Sequence, residues 1–208
     1  MLTDRPTLCL DERQLWAELV CCLLSSQVPY EAALTATRTI EEYRLLPCDN
    51  IKCYEEYEEN LSGLLKQPIF DGRRYRFPAL RAKQISRTGE EFAEKVTTIN
   101  RLLSELENIY DTRKVIIEMV HGFGPKQTSM YLRNIGLTDR LAVLDRHVVK
   151  FMHMVGLTER DVVPQTLSNY EILESQFIEY SGDIGFSPAC VDYSTWVVMR
   201  VNTGISRK

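Results

Sequence analysis

One lysine, Lys126, follows a glycine-rich turn and opens a helix-like run in the stretch HGFGPKQTS, residues 121–129. The first turn of a helix carries partial positive charge, and this charge and desolvation both disfavour the ammonium form of a lysine. A lysine that is neutral near pH 7 is a nucleophile suited to Schiff-base chemistry. An exposed Lys126 would instead contact a phosphate and do nothing more, so its position leaves both roles open.

A carboxylate that could assist this lysine is Asp145, at the end of the apolar run in LAVLDRHVV. An amphipathic helical pattern follows it, so Asp145 is also predicted to be the N-cap of a helix. The two roles are compatible, because a carboxylate fixed at the start of a helix is pre-organised. Lys126 and Asp145 are therefore the candidate catalytic pair.

The turn around Gly122 and Gly124 has the pattern of two helices joined by a hairpin. Glycine lets the backbone approach a ligand closely, and a helix that begins at Pro125 presents unpaired N–H groups. A DNA phosphate fits such a site without base readout. A Walker A loop fits poorly, because its G-x-x-x-x-G-K-[ST] spacing and its preceding strand are missing. A capping turn with no ligand is the alternative.

Helical spacing of apolar residues recurs along the whole chain, and no sustained alternation typical of strands is found. Asp111 is a predicted N-cap, Gly136 is a predicted C-terminal cap, and Gly89 is expected to interrupt the middle region. The fold class is therefore all-α. The predicted helices are 12–27, 31–46, 51–65, 100–109, 112–120, 125–134, 146–155, 166–180 and one starting at Ser187–Pro188.

The composition is that of an ordinary soluble protein: 208 residues, 44% apolar, with a net charge of −4. No apolar run approaches the ~18–20 residues of a membrane span, and no signal peptide is recognised, so a cytosolic protein without membrane contact is expected. The six cysteines form no CxxC pair, and the three histidines are scattered. We therefore expect neither a structural metal nor a cofactor.

Charge is distributed unevenly along the chain. Residues 41–60 hold seven acids and two bases, residues 71–87 hold six bases and one acid, and residues 111–150 hold seven bases and four acids. Basic character thus lies next to the glycine turn, where a nucleic-acid partner would need it. Two ordinary solvated faces would explain the same distribution.

The run HGFGPKQTSMYLRNIGL followed by LAVLDRH resembles the helix–hairpin–helix DNA glycosylases. Among these it looks most like the archaeal-type, second-class 8-oxoguanine DNA glycosylase/AP lyases, through LLSSQV, YRFPALRAKQI, DYSTW and the terminal TG…K. The resemblance covers most of residues 15–208. Iron–sulfur relatives carry four clustered cysteines near the C-terminus, where this chain has only Cys190. The adenine-removing branch lacks the hairpin lysine.

The resemblance implies a monomeric enzyme that acts on double-stranded DNA containing a damaged base, in the cytoplasm at the nucleoid. Lys126 would attack the sugar C1′, Asp145 would stabilise the developing positive charge, and β-elimination would cut the strand. It also implies one helix–hairpin–helix unit over 1–208, with a cleft between subdomains 27–136 and 1–26 plus 137–208. The implied DNA-backbone contacts are Gly122, Phe123, Gly124 and Arg146, with a monovalent cation on the backbone of Gly122 and Gly124.

The base pocket that the resemblance implies has Phe77 and Trp196 stacking on the base, Gln27 near it and the terminal Lys208 in contact with it. Core packing alone would also explain the two aromatic residues. Two other functions stay open: a non-catalytic DNA-binding hairpin, and a glycosylase for a different modified base. The spacing from Trp196 to Lys208 is longer than expected for the family, so a different modified base stays open as the substrate.

Overall fold

The computed structural model describes the backbone of residues 10–49, 51–95 and 98–205, and the side chains among them up to Val201. Its contacts define two compact units, Leu8–Phe123 (the N-terminal unit) and Gly124–Lys208 (the C-terminal unit). The division falls inside the glycine turn. It differs from the predicted subdomain boundaries near residues 27 and 136, and the predicted cleft stays a prediction.

Helices dominate the described residues of both units, which confirms the predicted fold class. The N-terminal unit contains α1 (Glu12–Leu24), α2 (Tyr30–Glu42), α3 (Tyr54–Leu65), β1 (Pro68–Phe70), β2 (Arg73–Arg74), α4 (Pro78–Lys95), α5 (Ile99–Glu105) and α6 (Ile109–Met119). The C-terminal unit contains α7 (Pro125–Asn134), α8 (Arg146–Met154), α9 (Leu167–Asp183) and α10 (Pro188–Ile205).

Helix α1 begins where Asp11 and Gln14 form a capping box, each side chain accepting the other's backbone N–H. Its apolar stripe is buried in the N-terminal unit. Trp16 meets Phe92 of α4 edge to face, with ring centroids 5.0 Å apart. This contact fixes α1 against the helix that follows the predicted base-pocket residue Phe77.

The β-hairpin was not expected from the sequence. Strands β1 and β2 pair antiparallel through a two-residue turn, Asp71 and Gly72, with φ of 49° and 68°. Two positive φ angles in succession are typical of a type I′ turn, for which Asp-Gly is a preferred sequence. The signal was present in FDGRR, but the flanking strands are too short to show alternation.

Several predicted helix boundaries were wrong, and the contacts of two of them show why. Helix α4 runs through Gly89, where a Cβ atom would lie 3.0 Å from Cβ of Pro47, so this glycine serves close packing and does not end the helix. Helix α6 begins earlier than predicted, because Asn108 and not Asp111 supplies the N-cap and accepts the N–H of Tyr110.

The C-terminal unit follows the prediction more closely. Helix α7 begins at Pro125 and ends at Asn134 as expected, and Gly136 follows it with a φ of 78°. A buried core joins α8, α9, α10 and the segment before Asp145; its members are Ala142, Leu144, Val148, Val149, Met152, Tyr170, Leu173, Phe177 and Val191. Among the described residues, no helix is long and apolar enough to cross a lipid bilayer.

Candidate active site

Lys126 is the second residue of α7 and is half-buried. The N-cap of this helix is Gly124, which has no side chain to satisfy the N–H groups of the first turn. The N–H groups of a helix's first turn have no carbonyl partner within the helix and attract anions. Lys126 therefore sits beside a backbone arrangement that suits a phosphate.

The Gly124 carbonyl was predicted to help bind a monovalent cation. It accepts both the N–H and the Oγ1 hydroxyl of Thr128, each at 3.0 Å. Two donors occupy the two lone pairs of a carbonyl oxygen. The Gly124 carbonyl therefore does not fit the role of a cation ligand.

The hairpin turn needs glycine at position 122. Gly122 has a φ of 93°, and a Cβ there would overlap the side-chain amide of Gln84. Gln84 is itself held by Arg81, whose Nη1 donates to Gln84 Oε1 at 2.7 Å. Phe123 is buried, and its N–H donates to the carbonyl of Val120 at 3.1 Å, so its amide is already used inside the turn.

Asp145 is the N-cap of α8, which confirms the capping prediction. Its Oδ1 accepts the N–H of His147 at 2.8 Å and that of Val148 at 3.0 Å. The other carboxylate oxygen, Oδ2, takes no part in this cap. A fixed carboxylate with one oxygen outside the cap is suited to stabilise a positive charge that develops during a reaction.

The extended segment before Asp145 is held by side chains, although buried backbone is usually satisfied by secondary structure. Successive N–H groups of Ala142, Val143 and Leu144 donate to Glu174 Oε1 (3.0 Å), Asp192 Oδ2 (2.6 Å) and the Tyr170 hydroxyl (3.0 Å). Sequence reasoning missed all three acceptors. A signal existed for Glu174, which is an acid at a core-facing position of α9, between Leu173 and Phe177.

Positive charge gathers around the start of α8. Burial lowers the pKa of His147, and Arg146, Arg200 and Lys150 lower it further, against the opposing charge of Asp145. The side chains of Arg146, Lys150 and Arg200 are exposed. The predicted DNA-backbone contact Arg146 thus lies within a local basic cluster, next to the proposed catalytic carboxylate.

Trp196, a predicted base-pocket residue, is half-buried on α10. Tyr193 stacks against it with ring centroids 6.2 Å apart, and the guanidinium of Arg200 lies 4.9 Å from its ring centroid. A Trp that packed only as core would be surrounded by apolar side chains. Trp196 is instead accompanied by a phenol and a cation, and its role as a stacking residue stays a prediction.

The second predicted stacking residue, Phe77, lies just before α4 and is also half-buried. The guanidinium of Arg76 lies 4.9 Å from its ring centroid. Phe77 therefore resembles Trp196 in one respect, since each ring has an arginine against it. Phe77 belongs to the N-terminal unit and Trp196 to the C-terminal unit.

Gln27 is exposed and has a φ of 63°, a left-handed conformation that is costly for a residue other than glycine. The turn around it is held through its carbonyls by residues near Phe77. The donors are the Tyr75 hydroxyl to Leu24 O (2.5 Å), Arg76 Nη1 to Gln27 O (3.4 Å) and Arg81 Nη2 to Ser26 O (3.4 Å).

The predicted site residues thus fall into two sets. Gln27 and Phe77 are linked through Arg76 in the N-terminal unit, and Lys126, Asp145 and Trp196 belong to the C-terminal unit. Lys208 lies outside the described residues. Within those residues, no group of three His, Cys, Asp or Glu side chains is placed to hold a metal ion.

A family model described as 8-oxoguanine DNA glycosylase matches residues 7–186 of the chain. The protein belongs to this family. A relative from Saccharolobus islandicus (strain L.S.2.15 / Lassen #1), named 8-oxoguanine DNA glycosylase/AP lyase, is 29% identical over 189 residues, which cover 90% of this chain and 83% of the relative.

Solved structures of family members have the same fold. The 8-oxoguanine DNA glycosylase of Methanocaldococcus jannaschii matches with a TM-score of 0.71 and 21% identity, over 90% of this chain and 78% of that one. The glycosylase/lyase of that organism in complex with a 15mer DNA containing 8-oxoguanine matches with a TM-score of 0.68 and 23% identity, over 90% and 81%.

Proposed function

We propose that this family member removes 8-oxoguanine from double-stranded DNA and cuts the strand at the resulting abasic site. The observation that carries this proposal is the lysine at position 126, at the start of the helix after the hairpin, in a chain that matches the family model over residues 7–186. A glycosylase that used only water would have no need of an amine there.

In this mechanism Nζ of Lys126, in its neutral form, attacks C1′ of the damaged nucleotide while the C1′–N9 bond breaks and its electron pair leaves with the base. Asp145 stabilises the positive charge on the sugar as the bond breaks. Ring opening then gives a Schiff base between Lys126 and C1′. Loss of a proton from C2′ breaks the C3′–O3′ bond, which cuts the strand on the 3′ side.

DNA binding in this proposal uses backbone and charge more than sequence. The first-turn amides of α7 hold a phosphate, and Arg146 with its basic neighbours contacts the flanking backbone. The base must leave the stack to reach Lys126, at a cost of a few kcal/mol that stacking in a pocket recovers. Phe77, Trp196, Gln27 and Lys208 are the proposed pocket residues.

The proposed catalytic pair needs only one chain, because Lys126 and Asp145 lie in the same unit. We therefore propose that the protein acts as a monomer on chromosomal DNA, in the cytoplasm at the nucleoid. Trapping one DNA per chain, with a monomeric mass by light scattering, would support this. Activity that rises with the square of protein concentration would contradict it.

Borohydride reduction of the Schiff base tests the proposed chemistry. Incubation with an 8-oxoguanine duplex and borohydride is expected to give a covalent protein–DNA adduct, which Lys126→Gln abolishes while duplex binding persists. Lys114→Gln, at an exposed lysine of α6, is the control and should trap like the wild type. A persistent adduct in Lys126→Gln would remove Lys126 from its role.

A panel of duplexes, each with one modified base, tests the substrate. We expect the fastest single-turnover excision from the 8-oxoguanine duplex. Faster release of an alkylated or another modified base would change the proposed substrate and keep the mechanism. Binding that weakens with salt, without release of any base or strand cutting, would leave only a DNA-binding hairpin.

A further inference from the structure

Asp192, in the first turns of α10, is a buried carboxylate with two partners on two different segments. It is 2% exposed. One oxygen, Oδ1, accepts a hydrogen bond from Nη1 of Arg133. The other, Oδ2, accepts the N–H of Val143 at 2.6 Å. A buried carboxylate is costly unless it is paired and hydrogen-bonded, and here both oxygens are used.

Each of the two partners of Asp192 lies on the same segment as one of the two proposed catalytic residues. Arg133 lies seven residues after Lys126 on α7, close to two full turns, so both residues lie on the same side of that helix. Val143 lies two residues before Asp145. Asp192 therefore ties the helix that carries the lysine to the segment that carries the aspartate.

The other two side-chain acceptors of this segment come from a different helix, α9. Glu174 is as deeply buried, at 1% exposed, and accepts the neighbouring N–H of Ala142 at 3.0 Å from α9. The hydroxyl of Tyr170, also on α9, accepts the N–H of Leu144. Glu174 thus holds the segment from α9, whereas Asp192 holds it from α10 and is paired with Arg133 of α7, which makes Glu174 a natural control.

Electrostatics agree with this geometry. Burial raises the pKa of Asp192 to about 6, although the charge of Arg133 and the N–H of Val143 both lower it; the nearby charge of Asp145 raises it further. The groups that face Asp192 are thus Arg133 from α7, Val143 from the extended segment and Asp145 from the start of α8. At neutral pH the ionised carboxylate and Arg133 form an ion pair next to the proposed site.

We propose that Asp192 and Arg133 are positioning residues that set the placement of Lys126 relative to Asp145. This inference rests on the proposed function, since it concerns the placement of that catalytic pair. The reaction needs the amine and the carboxylate at fixed places, and an error of about 1 Å in such an arrangement can cost on the order of 100-fold in rate. Neither residue touches the DNA in this proposal.

The test compares Asp192→Asn with Glu174→Gln. Each variant keeps an oxygen acceptor for its buried amide and removes one negative charge, and Asp192→Asn also breaks the ion pair with Arg133 of α7. Two quantities are measured: the rate of borohydride adduct formation on a duplex with a preformed abasic site, and the dissociation constant for a duplex with a tetrahydrofuran abasic analogue.

We expect Asp192→Asn to slow adduct formation about 100-fold, with a dissociation constant close to that of the wild type. Glu174→Gln should slow it only a few-fold. Arg133→Gln, at the half-buried partner of Asp192, should slow the rate as Asp192→Asn does. The double variant should show little further loss, because both changes break one link.

The outcomes separate the inference from the function on which it rests. A wild type that forms no adduct overturns the proposed function and this inference with it. A wild type that forms the adduct, with Asp192→Asn and Arg133→Gln as fast as Glu174→Gln, overturns only the inference. If Asp192→Asn does not fold, the rate and affinity of Arg133→Gln decide the result.

Discussion

The segment before Asp145 in the C-terminal unit is held by buried side chains, whereas the turn at Gln27 in the N-terminal unit is exposed and left-handed. Asp192 and Glu174 accept buried amides at one place. At the other, Tyr75 and two arginines hold carbonyls of a strained turn. The two units thus fix their proposed site residues by different physical means.

This difference indicates that the two regions affect different steps of the proposed reaction. A buried polar network permits few alternative positions, which suits a reaction that depends on the separation of two groups. An exposed turn in a left-handed conformation stores about 1–2 kcal/mol and is held by its surroundings, as is common at ligand-contacting sites. We therefore expect changes in the buried network before Asp145 to affect the rate of the chemistry, and changes at Gln27 to affect which base is accepted.

The largest effect is expected for Asp145→Asn. Losing the carboxylate should lower the single-turnover rate of 8-oxoguanine release by roughly 10²–10⁴-fold. Stability should change little, because Asn is as good an N-cap as Asp. Gln27→Ala is the comparison, and should change the preference among damaged bases while strand cutting at a preformed abasic site stays close to wild type. Equal rates for Asp145→Asn and the wild type would contradict the assignment.

The contribution of buried Asp192 to the free energy of unfolding should depend on pH. The pKa of Asp192 is about 6 in the folded protein and near 3.8 when unfolded, so the folded state binds the extra proton. Its contribution to stability is present below about pH 4 and is lost as pH rises through 6, by roughly 3 kcal/mol. Urea unfolding of the wild type and Asp192→Asn between pH 4 and 7 should show this difference, and parallel profiles would refute it.

Sequence reasoning found local structural features of the C-terminal unit and missed the distant side chains that hold them in place. The glycine turn before α7, Pro125 at the start of that helix and the Asp145 cap follow from short motifs whose physics is local. The contacts of Asp192 with Arg133 and Val143 span 59 and 49 residues. No periodicity reveals which buried acid meets which amide at such separations, so these contacts needed the structure.

In the N-terminal unit, too, the contacts that hold the predicted residues could not be predicted from the sequence. Gln27 and Phe77 were selected by resemblance, but the left-handed turn and the role of Tyr75 could not be predicted from the sequence. A positive φ at a residue other than glycine is imposed by tertiary contacts and has no signature in composition. The short β-hairpin before Tyr75 was missed because its strands have two and three residues.

A smaller effect is expected when the proposed stacking residues are removed. Phe77→Ala and Trp196→Ala should each slow 8-oxoguanine release by roughly 5- to 150-fold, because base–aromatic stacking contributes about 1–3 kcal/mol. Cutting at a preformed abasic site should change less, since no base remains to stack. Phe186→Ala removes an exposed aromatic of the C-terminal unit and serves as the control. Equal losses on both substrates would indicate a role in packing.

The smallest effect is expected for Gln27→Gly. Glycine relieves the left-handed strain, so the free energy of unfolding should rise by up to about 1 kcal/mol. Arg44→Gly, at another left-handed position with a φ of 57°, should give a similar gain. Only Gln27→Gly should change the preference among damaged bases. Identical base preferences in the two variants would place Gln27 outside the pocket.

The central claim is that Nζ of Lys126 supplies the nitrogen of the Schiff base. The measurement that tests it is mass spectrometry of the borohydride-trapped adduct after proteolysis and nuclease digestion of the DNA. The account predicts a reduced sugar remnant on Nζ of Lys126, in the peptide that begins the hairpin's second helix. A remnant on another lysine, such as Lys150, or on the terminal amine would contradict it.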